Sequence, residues 1–208
     1  MKFFSQKSKF STVTALVASV ALILSCSHEG SSPCSPTDPS CGGSTPPVSA
    51  PSRILPIAAV PQQTQLWCWA ATSEMIFRYY GVPVTQCQLV SAYLNRPCCL
   101  PDPACVVPSG TMETIQRGLL VMGGIRSIHV GPLSFAQLAN EISAGRPVMI
   151  GYRNSFSGHV VLVTGYNSAN NFVHILDPFF GTFDVPYGTT FAYNGQLFWS
   201  DSLIGITP

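Results

Sequence analysis

The apolar pattern of this chain changes period once, near Gly145, and that change limits the folds open to it. Before it the spacing is helical. From Trp69, the positions Ser73, Ile76, Phe77 and Tyr80 fall on one helix face, and Gly81-Val82-Pro83 ends that helix. Thr85 with Gln88 three residues on forms a capping box for a second helix reaching Leu94. Met112, Ile115 and Leu119 mark a third. Ser134 with Gln137 opens a fourth, running to Ser143 and closed by Gly145 and Pro147. Beyond that point Val148 to Tyr152, His159 to Tyr166, Phe172 to Leu176 and Thr182 to Val185 are short β-branched and aromatic runs, divided by Gly, Asn, Ser and Pro. Residues 167–171 read as a hairpin turn. Helices first and an antiparallel sheet after them make an α+β fold, with the helices packed on the sheet.

The N-terminal quarter has a different character. Lys2, Lys7 and Lys9 precede an apolar stretch from Val13 to Leu24, which is shorter than the roughly 20 residues a spanning helix needs. A basic start, a short apolar run and small residues after it read as a secretory signal over residues 1–25. The run ends Ile23-Leu24-Ser25-Cys26, which resembles a bacterial lipobox, so Cys26 is the expected lipidation site and the lipid bilayer an expected partner. The alternative is ordinary signal cleavage nearby. Residues 26–53 then hold almost no large apolar side chains and read as a tether, because such a segment buries too little surface to offset its ordering entropy. Residues 54–208, about 155 in all, suit one domain with its own core. From Cys26 onward there are seven arginines, nine acidic residues and no lysine. No basic block is available to grip phosphates, which argues against a nucleic-acid partner.

Cysteine parity is the next constraint. Eight cysteines in an exported chain suggest disulfides. With Cys26 carrying lipid, seven remain, and seven cannot all pair. Cys34 and Cys41 are candidate partners within the tether. Cys87, Cys98, Cys99 and Cys105 crowd into a proline-rich loop and can form two bridges in three ways, with nothing in the spacing to choose among them. Zinc is a rival for that cluster, but it lacks paired C-x-x-C knuckles. Cys68 is left alone, in the stretch QQTQLWCWAA.

A lone cysteine at a helix start sits among unpaired backbone N–H groups, which favour thiolate over thiol. It still needs a proton partner, and that partner needs an orienting group. Of His129, His159 and His174, His159 stands at the mouth of a strand. Asp177 ends the following strand, and pairing through the turn at 167–171 sets residue 161 opposite 177, within reach of 159. His174, three residues before Asp177, faces the other side, and His129 has no carboxylate near it in sequence. The plain alternative for each is a packed core histidine.

At this point the chain resembles the papain-like cysteine peptidases, and among them the compact bacterial effector-type and bacteriocin-processing groups. A glutamine, Gln62, lies six residues before Cys68-Trp69-Ala70; His159 opens a valine-rich strand reaching Gly165-Tyr166; Asp177 precedes a proline; Phe198-Trp199 comes late. The resemblance implies a papain-like fold over most of residues 54–208 and a peptide or protein substrate. It also implies that Cys68 is the nucleophile, His159 the base, Asp177 the orienting group and Gln62 an oxyanion donor, with Gln63 and Gln65 as rivals for the last role. No cofactor or metal is implied. The chain departs from the larger plant and lysosomal relatives: Gln65 stands where they carry a second cysteine, aspartate replaces asparagine as third member, and no long pro-segment resembles theirs. Trp69 is expected to shield the imidazole–carboxylate pair and Trp67 to line the cleft or the helix entry, unless both merely fill the core. The reading is a thiol endopeptidase, lipid-anchored at the bacterial envelope. Acyl or amide transfer with the same residues, or a catalytically silent surface binding module, are the alternatives.

Overall fold

A computed structural model of the chain describes residues 52–109 and 111–208. Cys26, Cys34 and Cys41, with the signal-like start and all but the last two residues of the tether, lie outside them. The elements are β1 (Ser52–Ile54), α1 (Cys68–Tyr79), α2 (Gln86–Leu94), α3 (Met112–Gly123), β2 (Arg126–Val130), α4 (Phe135–Ser143), β3 (Val148–Arg153), β4 (Gly158–Asn167), β5 (Phe172–Asp177), β6 (Gly181–Pro186), β7 (Ala192–Tyr193) and β8 (Leu197–Thr207). This is the α+β arrangement the change of period implies, with the papain-like fold the resemblance implies.

Local chemistry sets the helix ends. Both capping boxes form: the Gln88 side chain accepts from the Thr85 N–H at 2.9 Å, and Gln137 does the same for Ser134 at 2.9 Å. Gly124, at φ 67°, closes α3 in the left-handed conformation that glycine adopts without strain.

The strands form one antiparallel sheet in the order β2-β8-β3-β4-β5-β6, with β1 added to β4 and β7 to β8. Both faces are covered. On one, α1 to α3 bury Met75, Phe77, Leu89, Ile115 and Leu119 against Met149, Leu162 and Leu176. On the other, α4 buries Leu138 and Ile142 against Ile150, Val161, Val163 and Ile175. Covering on both sides explains why β3 and β4 read as almost continuous apolar runs instead of alternating ones. Leu162 is wholly buried, and cutting it to alanine costs about 2–5 kcal/mol by the usual range for core truncations.

The β4–β5 hairpin positions the site. Leu162 faces Leu176 and Val163 faces Ile175, the register expected from the turn; a bulge at Thr164 then shifts the pairing so that Gly165 faces His174. Gly165 is also where β1 crosses: a Cβ there would lie 2.9 Å from the Arg53 carbonyl and 2.9 Å from His174 Cβ.

Four strands lack a clear signal in the sequence, among them β1, whose Ser52 and Arg53 fall in the stretch read as tether. β8 lies inside the sheet, yet Ser200, Asp201, Ser202 and Gly205 break its apolar pattern. Ser202 is buried because its hydroxyl donates to the Gly131 carbonyl at 3.0 Å and accepts the Trp199 indole N–H at 2.9 Å. β2 is a half-exposed edge strand, and β7 is only two residues long.

The four loop cysteines form disulfides Cys87–Cys99 and Cys98–Cys105. Cys98 and Cys105 are buried, whereas Cys99 turns outward to meet Cys87 on α2. All four sulfurs are thus in disulfides, which leaves the zinc alternative no ligands. Among the described residues Cys68 is the free thiol.

Candidate active site

Cys68 is the first residue of α1 and half-buried, with no acidic side chain in the first turn to oppose the positive end of the helix. The tryptophans on either side of it are both buried, and their indole N–H groups point at one loop. Trp67 donates to the Cys105 carbonyl at 2.8 Å and Trp69 to the Val107 carbonyl at 3.2 Å. Two donors on alternate carbonyls hang the disulfide-bridged loop from the start of α1. Its next residues, Pro108 and Ser109, form a wall of the cleft in front of Cys68. Trp67 therefore sits at the helix entry. Trp69 does not shield the histidine: its ring stands edge-on to Tyr93, with centroids 5.4 Å apart.

His159 is the second residue of β4 and Asp177 the last of β5. The antiparallel register brings them to the same end of the sheet, and His159 Nε2 donates to Asp177 Oδ1 at 3.0 Å. The side chains are 11% and 0% exposed. With Nε2 taken, Nδ1 is left for Cys68, which lines the same cleft and acts on the ring's pKa. Burial alone would lower the imidazole pKa, but the hydrogen bonds and charges of Asp177 and Cys68 outweigh it and raise the value to about 9. Burial likewise pushes the Asp177 carboxyl up. The hydrogen bond and charge of His159, the Phe179 N–H and the Tyr193 hydroxyl outweigh that and hold it below its ordinary value.

The site contains a residue that the sequence reading does not single out. Tyr193, on β7, donates its hydroxyl to Asp177 Oδ2 at 2.8 Å, and its ring lies 4.6 Å from that of His159 at a 35° tilt. Its signal is faint: Asn194 and Gly195, both at positive φ, make the turn that brings β7 back along β8.

The four expected residues are not equally disposed. Cys68, His159 and Asp177 come together. Gln62 is tied to them through its backbone N–H, which donates to the Pro178 carbonyl at 2.9 Å. Its side chain turns into its own loop, with Nε2 donating to the Thr64 carbonyl at 2.8 Å and the Gln65 carbonyl at 3.0 Å, and Oε1 buried without a partner. Gln65 is exposed and lines the cleft with Cys68 and His159. A buried network holds the Gln62 segment down: Gln86 accepts from the Gln63 N–H and donates to the Pro61 carbonyl, both at 3.0 Å, while Glu74 accepts from the Gln86 N–H at 3.0 Å.

The cleft, about 180 Å³, is lined by Cys68 and His159 together with Met112, Gly151, Arg153 and Asp201. Beside it His129, which has no carboxylate near it in sequence, meets two: Asp201 at 2.8 Å and Glu113 at 2.9 Å. His174 pairs with Asp184 at 2.7 Å, away from Asp177 as its place in the strand implies. Among the described residues no group of His, Cys, Asp and Glu is arranged to hold a metal ion.

Residues 54–191 match the model of the Peptidase_C39 like family. Two solved structures share the fold. One is a double glycine motif protease from an AMS/PCAT transporter, in complex with the leader peptide: 18% identity, TM-score 0.50, covering 74% of this chain and 94% of that one. The other is a protein of Bacillus anthracis described as a C39-like peptidase: 14% identity, TM-score 0.52, covering 74% and 97%. No curated protein matches the chain.

Proposed function

The chain belongs to the Peptidase_C39 like family and is a cysteine-type peptidase, and from that premise we propose that it hydrolyses peptide bonds through Cys68, His159 and Asp177. The observation that carries the assignment is the free thiol at a helix start, lining one cleft with an imidazole whose Nε2 is held by a buried carboxylate. In the resting pair the proton sits on His159 and the charge on Cys68. The thiolate attacks the scissile carbonyl. The tetrahedral oxyanion collapses as His159 passes its proton to the departing amine, leaving a thioester on Sγ. The neutral imidazole then takes a proton from water, the hydroxide attacks the thioester, and the acid product leaves with the thiolate and imidazolium restored. Asp177 keeps the ring oriented and balances its charge; being in four hydrogen bonds at once, it does not itself need to accept a proton.

The backbone N–H of Cys68 and the side-chain amide of Gln62 are the oxyanion donors in this scheme. For Gln62 to serve, Nε2 has to release the Gln65 carbonyl, the longer and more exposed of its two bonds, when substrate enters. The substrate is a peptide or protein. The peptidase domain occupies residues 54–208, and residues 1–25 and 26–53 act as a lipoprotein signal and a tether from lipidated Cys26, so that the enzyme works at the outer side of a bacterial membrane. The basic start, the short apolar run and the sequence Leu24-Ser25-Cys26 support that location. Two experiments test the proposal. Hydrolysis of a casein-derived peptide pool should vanish in Cys68→Ala and His159→Ala; activity surviving either change contradicts the mechanism. Radiolabelled palmitate fed to expressing cells should enter the wild-type chain and not Cys26→Ala; equal labelling contradicts the anchor.

A further inference from the structure

We infer that Tyr193 is a positioning residue for the His159–Asp177 pair, anchoring the carboxylate through its hydroxyl and screening the imidazole with its ring. The inference rests on the triad assignment above. Asp177 is buried, so each lone pair needs a partner. Oδ1 is shared among His159 on the neighbouring strand β4, the Phe179 N–H at 2.7 Å and the Phe180 N–H at 3.2 Å, the last two from the turn between β5 and β6. For Oδ2 the hydroxyl of Tyr193 is the donor, and it comes from a different part of the chain. Without it the carboxylate has one oxygen fixed and one free, and can swing about Oδ1.

The ring has its own contacts. It lies against His159 at 4.6 Å, with Tyr152 at 5.3 Å and Phe180 at 6.3 Å around it. These contacts cover the pair from solvent, and a hydrogen bond in such surroundings is stronger than one in water. The hydroxyl stays a donor across the working range, because burial and then the hydrogen bond to Asp177 push its pKa far above the usual tyrosine value. The titratable groups facing Tyr193 are His159, Asp177, Cys68 and Tyr152.

The two parts of the side chain act on the imidazole in opposite directions. A donated hydroxyl takes up part of the Asp177 charge, so removing it makes the carboxylate a stronger acceptor for His159. Removing the ring admits water and weakens the same bond. A residue that only fills space has no reason to give opposite signs.

The test reads the alkylation rate of Cys68 by iodoacetamide against pH, which needs no substrate. The upper transition of that profile reports proton loss from His159. Tyr193→Phe should move it up by roughly half a unit, Tyr193→Leu should move it down, and Asp177→Asn should move it down furthest. Melting temperatures recorded alongside separate this from simple loosening. If both Tyr193 variants leave the transition where it is, or move it the same way, while Asp177→Asn lowers it, Tyr193 is a packing residue and the inference fails alone. If Asp177→Asn also leaves it unmoved, the carboxylate does not hold the imidazolium and the triad assignment fails with it.

Discussion

His159 with Asp177 and His129 with Asp201 make the same contact on the same sheet, an imidazole Nε2 against a carboxylate Oδ1 at 3.0 and 2.8 Å. His174 with Asp184 adds a third histidine–aspartate pair at 2.7 Å. What separates them is everything around the contact. Asp177 has no exposed side-chain surface, Asp201 keeps 17% and Asp184 60%. His159 meets one carboxylate and shares a cleft with one thiol; His129 divides its ring between two carboxylates, and Asp201 also faces Arg153 at 3.4 Å. A pair open to water and shared among several charges is screened and weak. A pair closed off from water, with a nucleophile on its free nitrogen, can hold a proton where chemistry needs it. Pairing alone does not mark the site; burial and the neighbouring thiol do.

The sharpest way to break this distinction is at the thiol. Cys68→Ala should lower turnover on the order of a millionfold, as loss of a nucleophile does in comparable systems, while the melting temperature stays nearly constant. A large fall in melting temperature would make Cys68 a packing residue. The carboxylates come next. Asp177→Asn should cost about 10² to 10⁴ in turnover, Asp201→Asn about twofold or less, and Asp184→Asn nothing measurable. Comparable losses at Asp177 and Asp201 would erase the difference between the pairs.

The oxyanion donor is open to the same kind of comparison. Gln62→Ala should slow turnover about a hundredfold and Gln65→Ala only slightly, with KM little changed in the first case; the reverse order would give the role to the glutamine already in the cleft. The smallest effect concerns stability. Because the folded-state pKa of His159, about 9, lies above the ordinary 6.5, the charged ring's contribution to stability is complete below pH 6.5 and disappears as pH rises through about 9. Thermal melts of wild type and His159→Gln should therefore differ most below pH 6.5 and converge above about pH 9. A constant gap across that range would contradict the raised value.

How much of this is legible in the sequence depends on the path between residues and not on their separation, for Tyr193 is 16 residues from Asp177 and His159 is 18. His159 and Asp177 are joined by one hairpin, and the strict two-residue alternation of strands carries a register from turn to tip, so sequence alone brings them together. The bulge at Thr164 alters only the turn end of that hairpin. Tyr193 reaches Asp177 through two short elements whose pairing no local pattern encodes. Asp201 likewise reaches His129 across 72 residues. The disulfide pairing was equally hidden: Cys98 and Cys99 are adjacent, and only the fold decides that the first points into the core and the second outward to α2. The tryptophans flanking Cys68 are conspicuous in the sequence, but the partners of their indole N–H groups are not. They hold a cleft wall by their indole N–H groups, a role set by carbonyls on a loop 38 residues away.

The central claim is that Cys68 and His159 form a thiolate–imidazolium pair, and brief iodoacetamide treatment of the non-reduced protein at about pH 5.5 tests it most directly, since an ordinary thiol with pKa near 8.5 is almost wholly protonated there. Mass spectrometry should find one label, on Cys68, in the wild type and none in His159→Ala. An unlabelled Cys68 in the wild type, or equal labelling in both proteins, would contradict the account.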